Sequence, residues 1–119
     1  MNIIEKEGKF YISQNDSEIL LENYPSQSKI EQWKKTHKNV FRYISKDGKW
    51  IFLKSPSLTI LDACRTISRG NNLSFDIALK NNCKLESSPE FDTSDEHILG
   101  LSGRLGVIIK KVDGQLEEL

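Results

Sequence analysis

The feature that most constrains the fold is the pair Asp47-Gly48, which lies between two runs rich in β-branched and aromatic residues. The preceding run reads Val-Phe-Arg-Tyr-Ile-Ser, and the following run reads Trp-Ile-Phe-Leu-Lys. Asp-Gly is the strongest short-range hairpin signal, because a type I′ turn needs positive φ at both central residues. The sequence therefore predicts an antiparallel hairpin over residues 40–54, with Ser45 facing Trp50 across a two-residue turn.

This pairing makes both faces of the hairpin apolar. One face carries Val40, Ile44, Ile51 and Leu53, together with Arg42. The other carries the aromatic residues Phe41, Tyr43, Trp50 and Phe52. A two-stranded ribbon cannot shelter two apolar faces by itself, so one face is expected to pack on the helices of this chain. For the aromatic face two alternatives are open: residues 9–21 cover it, or it contacts another protein.

Composition narrows the function classes. The chain has 119 residues, 37% hydrophobic and 29% charged, which is typical of one globular domain with a modest core. Basic and acidic residues both number 17, so general attraction to nucleic-acid phosphates is not expected. No apolar run approaches the roughly 18 residues of a membrane span, and no signal peptide is evident. We therefore expect a cytoplasmic protein with neither a nucleic-acid nor a membrane partner.

Residues 1–27 are interpreted as an N-terminal arm or an extra β-hairpin, and residues 28–119 as a single α+β domain. Two short apolar runs, Lys9-Phe10-Tyr11-Ile12 and Glu18-Ile19-Leu20-Leu21, flank a polar turn cluster. Such runs are typical of paired strands. The arm is expected either to fold back as a hairpin or to reach another chain, and a local hairpin is favoured.

The remaining pattern predicts a small bundle of three to four helices. Ser28 and Glu31 have capping-box spacing, which predicts a helix over residues 29–37 that buries Ile30 and Trp33. Ser55-Pro56 predicts the start of a second helix that ends at Gly70. Its buried stripe is expected to contain Leu58, Leu61, Cys64 (or Ala63) and Ile67. The overall expectation is an α+β fold, with one or two β-hairpins in the N-terminal half packed on the helices.

Two more helices and a loop complete the expected order. A short helix over residues 75–82 buries Phe75, Ala78 and Leu79, and residues 84–93 form a loop. Thr93 and Glu96 open the last helix at capping-box spacing. Its apolar seam is expected to be Ile98, Leu101, Leu105, Ile108 and Val112, spaced three, four, three and four.

Three glycines, Gly100, Gly103 and Gly106, lie within this last predicted helix. Each costs about 1 kcal/mol relative to alanine in a helix interior. We interpret them as a close-packing face for an internal or a partner helix. They do not form a phosphate loop, because the run lacks a Gly-Lys-Ser/Thr ending.

No pattern of residues predicts a catalytic, cofactor-binding or metal site. Cys64 and Cys83 are expected to be free buried thiols. The histidines, His37 at a helix end and His97 in a first helical turn, have no partner at metal-ligand spacing, and His97 is expected to be solvated. The acidic cluster Glu90, Asp92, Asp95 and Glu96 is explained by the preference for negative charge at a helix N-terminus.

The order of motifs from residue 28 onward carries a family resemblance. The relevant stretches are Ile30-Glu31-Gln32-Trp33-Lys34, Phe52-Leu53-Lys54-Ser55-Pro56, Phe75-Asp76-Ile77-Ala78-Leu79-Lys80-Asn81-Asn82-Cys83 and Leu99-Gly100-Leu101-Ser102-Gly103-Arg104-Leu105-Gly106. Together they resemble small phage and prophage proteins of Bacteroidetes type, similar in pattern to tail assembly chaperones. The resemblance implies a non-enzymatic protein of the bacterial host cytoplasm that holds apolar segments of the tape-measure protein or another tail protein.

Three hypotheses follow. The first is a tail assembly chaperone that binds tape-measure or tube protein through Phe41, Tyr43, Trp50 and Phe52, with Gly100, Gly103 and Gly106 as a second contact. The second is a structural component of a phage particle or tail, a homo-oligomer joined through the N-terminal arm. The third, from another class, is a thiol enzyme that uses Cys83.

Overall fold

Two antiparallel three-stranded sheets and five α-helices make up the fold in the computed structural model, which describes residues 2–119. The predicted α+β class is confirmed. The strands are β1 (Ile3–Lys6), β2 (Lys9–Gln14), β3 (Ser17–Leu21), β4 (Val40–Ile44), β5 (Trp50–Lys54) and β6 (Lys84–Ser87). The helices are α1 (Gln27–Thr36), α2 (Leu58–Ser68), α3 (Asn72–Cys83), α4 (Glu90–Thr93) and α5 (Asp95–Ser102), followed by a 3-10 helix, Leu105–Ile108.

The first sheet is a meander of β1, β2 and β3, with β2 in the centre. The predicted local hairpin over residues 9–21 is therefore confirmed, and β1 adds a third strand to it. Asn15 and Asp16, which join β2 to β3, both have positive φ, at 45° and 64°. This is the backbone that a type I′ turn requires. The N-terminal segment thus folds back as a sheet of its own.

The second sheet has the order β4-β5-β6, and its predicted hairpin has a different register. The expected two-residue turn is wrong: Ser45 pairs with Lys49, so the loop has three residues. Gly48 closes this loop with φ +86° and donates its N–H to the Ser45 carbonyl oxygen at 3.0 Å. A three-residue loop with its last residue left-handed is the next common hairpin connection.

The one-residue slip changes which side chains share a face. Ile44 lies opposite Trp50 and Arg42 opposite Phe52, whereas Tyr43 lies opposite Ile51. The predicted single aromatic face is therefore wrong. Trp50 and Phe52 point to one side of the sheet, and Phe41 and Tyr43 point to the other.

Each face of this sheet packs against a different part of the chain. The helix core lies between one face and the helices, and it contains Ile51, Leu53, Cys64, Ala78, Leu79, Cys83, Phe91, Leu101, Leu105 and Ile108. The sheet core lies between the other face, the first sheet and α1, and it contains Ile12, Leu21, Ile30, Trp50 and Phe52. Both faces of the hairpin are thus covered by one copy of the chain. For Trp50 and Phe52, the alternative in which residues 9–21 supply the cover is confirmed.

Strand β6 lies in a segment that was predicted to be a loop, and that prediction is wrong. Lys84–Ser87 pairs with β5 through an irregular register between Phe52 and Leu53. Beyond the strand, the Ser88 hydroxyl accepts a hydrogen bond from the Trp50 N–H at 3.0 Å. A second correction applies within the same segment, since Glu90–Thr93 forms the short helix α4.

The first three helices occur where expected, with shifted ends. Ser26, rather than Ser28, caps α1, and Ser57, rather than Ser55, caps α2. Helix α3 begins at Asn72 with Asn71 as its cap, three residues earlier than predicted. Ile30, Ala78 and Leu79 are buried as expected, and Trp33 and Phe75 are partly buried against the two cores.

The predicted stripe of α2 is correct only in part. Cys64 is fully buried and Leu61 packs against the helix core. Leu58 and Ile67, however, are 85% and 67% exposed, and Ser68 is buried instead. The helix is thus rotated so that Cys64 and Ser68, four residues apart, face the core.

The long last helix is also a wrong prediction. Helix α5 ends at Ser102, a 3-10 helix follows, and residues 109–119 have no regular secondary structure. Three seam residues, Leu101, Leu105 and Ile108, are buried as expected, whereas Val112 is fully exposed. The seam spacing therefore identified the buried residues correctly, although the backbone between them is not one continuous helix.

Candidate functional site

Two of the predicted partner-binding residues, Trp50 and Phe52, lie inside the sheet core, where each is only 2% exposed. The Trp50 indole N–H donates to the Glu22 carbonyl oxygen at 2.8 Å. Tyr24 packs edge-on against Trp50 at a centroid distance of 5.6 Å, and Trp33 packs on Phe52 at 5.2 Å. Trp50 and Phe52 therefore hold the first sheet and α1 in place, and they do not form an exposed docking surface in this fold.

The other two, Phe41 and Tyr43, lie on the opposite face and are partly buried. The Tyr43 ring meets Phe91 edge-on at 5.9 Å. A Cβ added at Gly100 would lie 3.2 Å from the Tyr43 hydroxyl oxygen, so α5 approaches β4 closely at this point. Phe41 and Tyr43 remain close enough to the surface to line a groove, which is described below.

The three glycines do not form one packing face within the chain. Of these three glycines, Gly100 has a neighbour close to an added Cβ, whereas Gly103 and Gly106 have open space there within the described residues. Gly103 follows the last residue of α5, and Gly106 lies in the 3-10 helix. All three are exposed. The interpretation as an internal close-packing face is wrong for Gly103 and Gly106, and their contact with a partner stays a prediction.

The most accessible binding feature is the outer edge of β4. In the second sheet β4 pairs only with β5, so one side of its backbone has no neighbouring strand. At one end of β4 the Ser45 N–H donates to the Lys49 carbonyl oxygen, and at the other end the Asn39 carbonyl oxygen accepts from the Ser55 N–H. The backbone groups of Asn39 and Ser45 therefore point toward β5. Backbone groups of alternate residues point to opposite sides of an antiparallel strand. The N–H and C=O groups of Val40, Arg42 and Ile44 therefore point outward along the open edge.

Two grooves flank this edge, one on each face of the sheet. The groove on the side of the helix core encloses about 440 Å³ and runs between β4 and the 3-10 helix. Its lining includes Phe41, Tyr43, Leu101, Leu105 and Ile108. The groove on the side of the sheet core encloses about 720 Å³ and is lined by Phe10, Tyr24, Ile30, Val40 and Phe52, among others. An extended chain added to β4 would place alternate side chains in the two grooves.

Basic side chains surround the edge. Lys46 and Arg104 line the groove next to the 3-10 helix, and no carboxylate lines it among the residues that the structure describes. The Arg42 side chain lies on the other face, where it donates to the Tyr24 hydroxyl at 3.0 Å. Lys34 lines the other groove, together with Glu5. The site is thus apolar at its floor and basic at its rim, although the whole chain is formally neutral. Sequence reasoning missed this site; its one signal was Arg42, since a charge within an apolar strand is typical of an exposed edge.

A chain of hydrogen bonds joins the hairpin turn to α5 through His97, which is not the solvated residue that the sequence predicted. The Ser94 hydroxyl lies 2.7 Å from His97 Nδ1, and His97 Nε2 lies 2.8 Å from Asp47 Oδ2. The His97 side chain is 15% exposed. Hydrogen bonds from Ser45 and His97 hold the pKa of the Asp47 carboxyl below its usual range, against the raising effect of burial.

Ser94, His97 and Asp47 have the residue types of a hydrolase triad, but their surroundings do not suit one. The Asp47 side chain is 54% exposed, whereas the carboxylate of a hydrolase triad is buried where it orients the histidine. We interpret the three residues as a clamp that fixes the hairpin loop against α5.

The thiols and acidic side chains have structural surroundings. Cys64 and Cys83 are free and fully buried, as expected. Burial, with a smaller effect of the neighbouring Cys64, raises the pKa of the Cys83 thiol to about 11. A nucleophilic cysteine needs a depressed pKa, so this environment disfavours the thiol-enzyme hypothesis. Within residues 2–119, no cluster of three or more histidine, cysteine or acidic side chains is arranged to hold a metal ion.

Two of the four residues in the acidic cluster predicted at a helix N-terminus, Glu90 and Asp92, form ion pairs. Asp92 contacts Lys84 at 2.8 Å and the buried Lys80 at 3.1 Å. Lys80 also donates to the Phe91 carbonyl oxygen at 2.5 Å. The hydrogen bond from Lys84 is the main cause that lowers the pKa of the Asp92 carboxyl. These contacts fix α4 against α3.

Comparison with known proteins gives no match: no protein-family model, no curated protein and no solved structure is similar to this chain. Among residues 2–119, every helix is too short or too polar to cross a membrane.

Proposed function

We propose that this chain is a non-enzymatic protein-interaction protein of phage type, a tail assembly chaperone that binds an extended segment of a tail protein. The segment would belong to the tape-measure or tube protein and would add as a further strand to β4. The observation that carries the proposal is the open edge of β4, where Val40, Arg42 and Ile44 present outward backbone groups between two grooves.

Strand addition accounts for the chemistry of this edge. Main-chain hydrogen bonds to the added strand supply affinity, and pockets for alternate side chains supply specificity. The apolar groove linings, with Phe41 and Tyr43 on one side and Phe10 and Ile30 on the other, suit apolar side chains. The rim residues Arg42, Lys46 and Arg104 favour a segment that also carries acidic residues.

The partner-binding residues of the sequence prediction are revised accordingly. Phe41 and Tyr43 stay in the proposed site as groove residues. Trp50 is withdrawn from direct contact because it lies in the sheet core. The alternative function, a particle component joined by an exchanged N-terminal arm, stays a prediction, and in this structure the arm packs on Trp50 and Phe52 of its own chain.

A proline at position 42 tests strand addition directly. The Arg42 N–H points away from β5, so proline there removes an edge donor and leaves the β4–β5 hydrogen bonds in place. We expect R42P to weaken binding of a purified tape-measure fragment by roughly tenfold or more, measured by isothermal titration calorimetry. R42A is the matched control, because it removes the charge and keeps the N–H.

The outcomes separate the contributions of backbone and charge. Strand addition predicts that R42P loses far more affinity than R42A, with circular dichroism spectra like that of the wild type. Equal affinity of folded R42P and wild type for the fragment would remove the edge of β4 from the proposal. Equal losses in R42P and R42A would assign the binding to the charge and not to the backbone.

A further inference from the structure

We infer that residues 109–119 of a second copy of this chain occupy the edge of β4 and the groove beside the 3-10 helix. Two copies would exchange these segments reciprocally and form a closed dimer. The inference rests on the binding site assigned under the proposed function, and it adds a second occupant that competes with the tail protein for that site.

The donor is a segment with apolar side chains but no packing. Val112, Leu116 and Leu119 are 100%, 103% and 112% exposed, which makes them the most exposed large apolar residues of the described chain. Beyond the N–H of Ile109, no backbone hydrogen bond joins this segment to the rest of residues 2–119. The segment thus has unpaired backbone groups and exposed apolar side chains, as does the edge of β4.

The charges of the segment and the groove are complementary. The segment begins with Lys110 and Lys111, but residues 113–119, which would reach the groove, contain Asp113, Glu117 and Glu118 and no basic residue. The basic side chains of the groove beside the 3-10 helix are Lys46 and Arg104. In an extended strand Leu116 and Leu119, three residues apart, would enter opposite grooves, each of which has an apolar floor. Residues 113–119 thus carry both apolar side chains for the grooves and acidic side chains for the basic rim.

The segment does not fill the groove of its own chain, since Val112, Leu116 and Leu119 are fully exposed in the single copy. Val107 and Ile108, just before it, line the groove. The segment consequently leaves the body at the site that it would fill in the other copy. Eleven residues of extended chain span up to about 36 Å, long enough to cross a two-fold axis and run along the partner's β4. In such an isologous contact each copy donates one segment and accepts one.

Exchange of this kind would regulate the site. In the dimer the edge of β4 is covered, so a tail protein binds only when it displaces the segment. Removal of the segment should therefore raise the apparent affinity for the tape-measure fragment, because the competing occupant is lost.

Sedimentation equilibrium of the full chain from about 1 to about 100 μM tests the inference, because a dimer forms by mass action. We expect a monomer–dimer equilibrium in the wild type. The double variant L116D/L119D in the segment and R104E in the groove should each raise the dimer dissociation constant by roughly tenfold or more. Combining R104E with E117K and E118K should restore the dimer, since the charges are exchanged between the two surfaces.

Control variants lie on α2, away from the site. L58D introduces an acidic residue at an exposed leucine, and R65E reverses an exposed arginine. Both should dimerise as the wild type does, and far-UV circular dichroism confirms folding of every variant.

Several results would overturn the inference. A wild type that stays monomeric at all concentrations excludes the exchange, and a monomer whose segment is protected from protease indicates docking on its own chain. A dimer that L116D/L119D weakens and R104E leaves intact assigns the segment to another surface. Failure to bind the tape-measure fragment would refute the proposed function while leaving the dimer result unaffected.

Discussion

Replacing Trp50 with alanine distinguishes a core residue from a docking residue. The Trp50 side chain is 2% exposed, contacts Tyr24 and Phe52, and donates its indole N–H to Glu22. Truncation of a buried tryptophan costs about 3–5 kcal/mol in unfolding free energy. An exposed docking residue would change it by about 0.5 kcal/mol or less. The two interpretations therefore differ by several kcal/mol.

The loss can be divided between packing and the hydrogen bond. W50F keeps most of the ring volume and removes the N–H donor, so we expect a loss of about 1–2 kcal/mol. W50A should lower the melting temperature by about 12–20 °C, at about 4 °C per kcal/mol for a chain of this size. Far-UV circular dichroism follows the urea unfolding of W50F and W50A, which gives the free energy of unfolding, and it also follows their thermal unfolding, which gives the melting temperature. This signal does not depend on the deleted tryptophan fluorophore.

An exposed leucine serves as the control. L58A, at a site that is 85% exposed, should stay within about 0.5 kcal/mol of the wild type. The reasoning is refuted if W50A is as stable as L58A, because Trp50 could not then hold the first sheet against the second. A loss in W50A that W50F shares in full would assign the effect to the indole hydrogen bond and not to packing.

Three further predictions concern single sites. G48A should destabilise the chain more than G8A, although both glycines have positive φ. A Cβ at Gly48 would lie 2.7 Å from a side-chain carbon of β3, whereas a Cβ at Gly8 would meet open space. Urea unfolding compares the free energies of unfolding of the two variants. The hydrogen bond from Lys84 is the main cause of the lowered pKa of Asp92. The contribution of Asp92 to stability is therefore present above the unfolded pKa of about 3.9 and is lost as the pH falls through the lower folded pKa. The melting temperature of D92N should fall less steeply than that of the wild type between about pH 5 and pH 2, and an unchanged slope would contradict this. Cys83, with a pKa raised to about 11 and no exposed surface, should resist an aromatic disulfide reagent at pH 8 in the folded chain and react once urea unfolds it; rapid labelling of the native protein would contradict its burial.

The register of the hairpin shows where sequence reasoning reaches its limit. Lys46, Asp47, Gly48 and Lys49 suit a two-residue turn and a three-residue turn equally well, because Gly48 can take positive φ in either. The choice between the two turns decides which side chains of β4 share a face with Trp50 and Phe52. It is decided by tertiary packing, since Trp50 and Phe52 fit against Tyr24, Trp33 and the first sheet. No local signal in residues 40–54 contains that information.

The prediction of one long last helix was wrong for a different reason. The spacing of Leu101, Leu105 and Ile108 correctly predicted three buried positions. Glycines at positions 103 and 106 weaken a helix, and the chain instead ends α5 at Ser102 and forms a 3-10 helix. Apolar periodicity thus reported which side chains are buried, whereas the glycines determined how the backbone connects them.

Strand β6 and the open edge of β4 could not be found from local pattern. The four residues Lys84–Ser87 are too few to give a clear alternation, and their partner strand lies more than thirty positions earlier. Whether a strand lies at an edge depends on the order of strands in the finished sheet. The sequence alone predicted the hairpin and the four apolar positions of β5, but not which strand would be left with a free side.

The central position of β5 has a consequence for how the chain is completed during synthesis. Ile51 and Leu53 belong to one core, and Trp50 and Phe52 belong to the other. The N-terminal strands leave the ribosome first, yet Leu85 from β6 also packs on the core that they cover. The sheet core is therefore complete only after more than two thirds of the polypeptide has emerged, and the helix core, which includes Ile108, is complete later still. Until then the apolar side chains and strand edges of the nascent chain are exposed, which is the state in which chains associate with their neighbours.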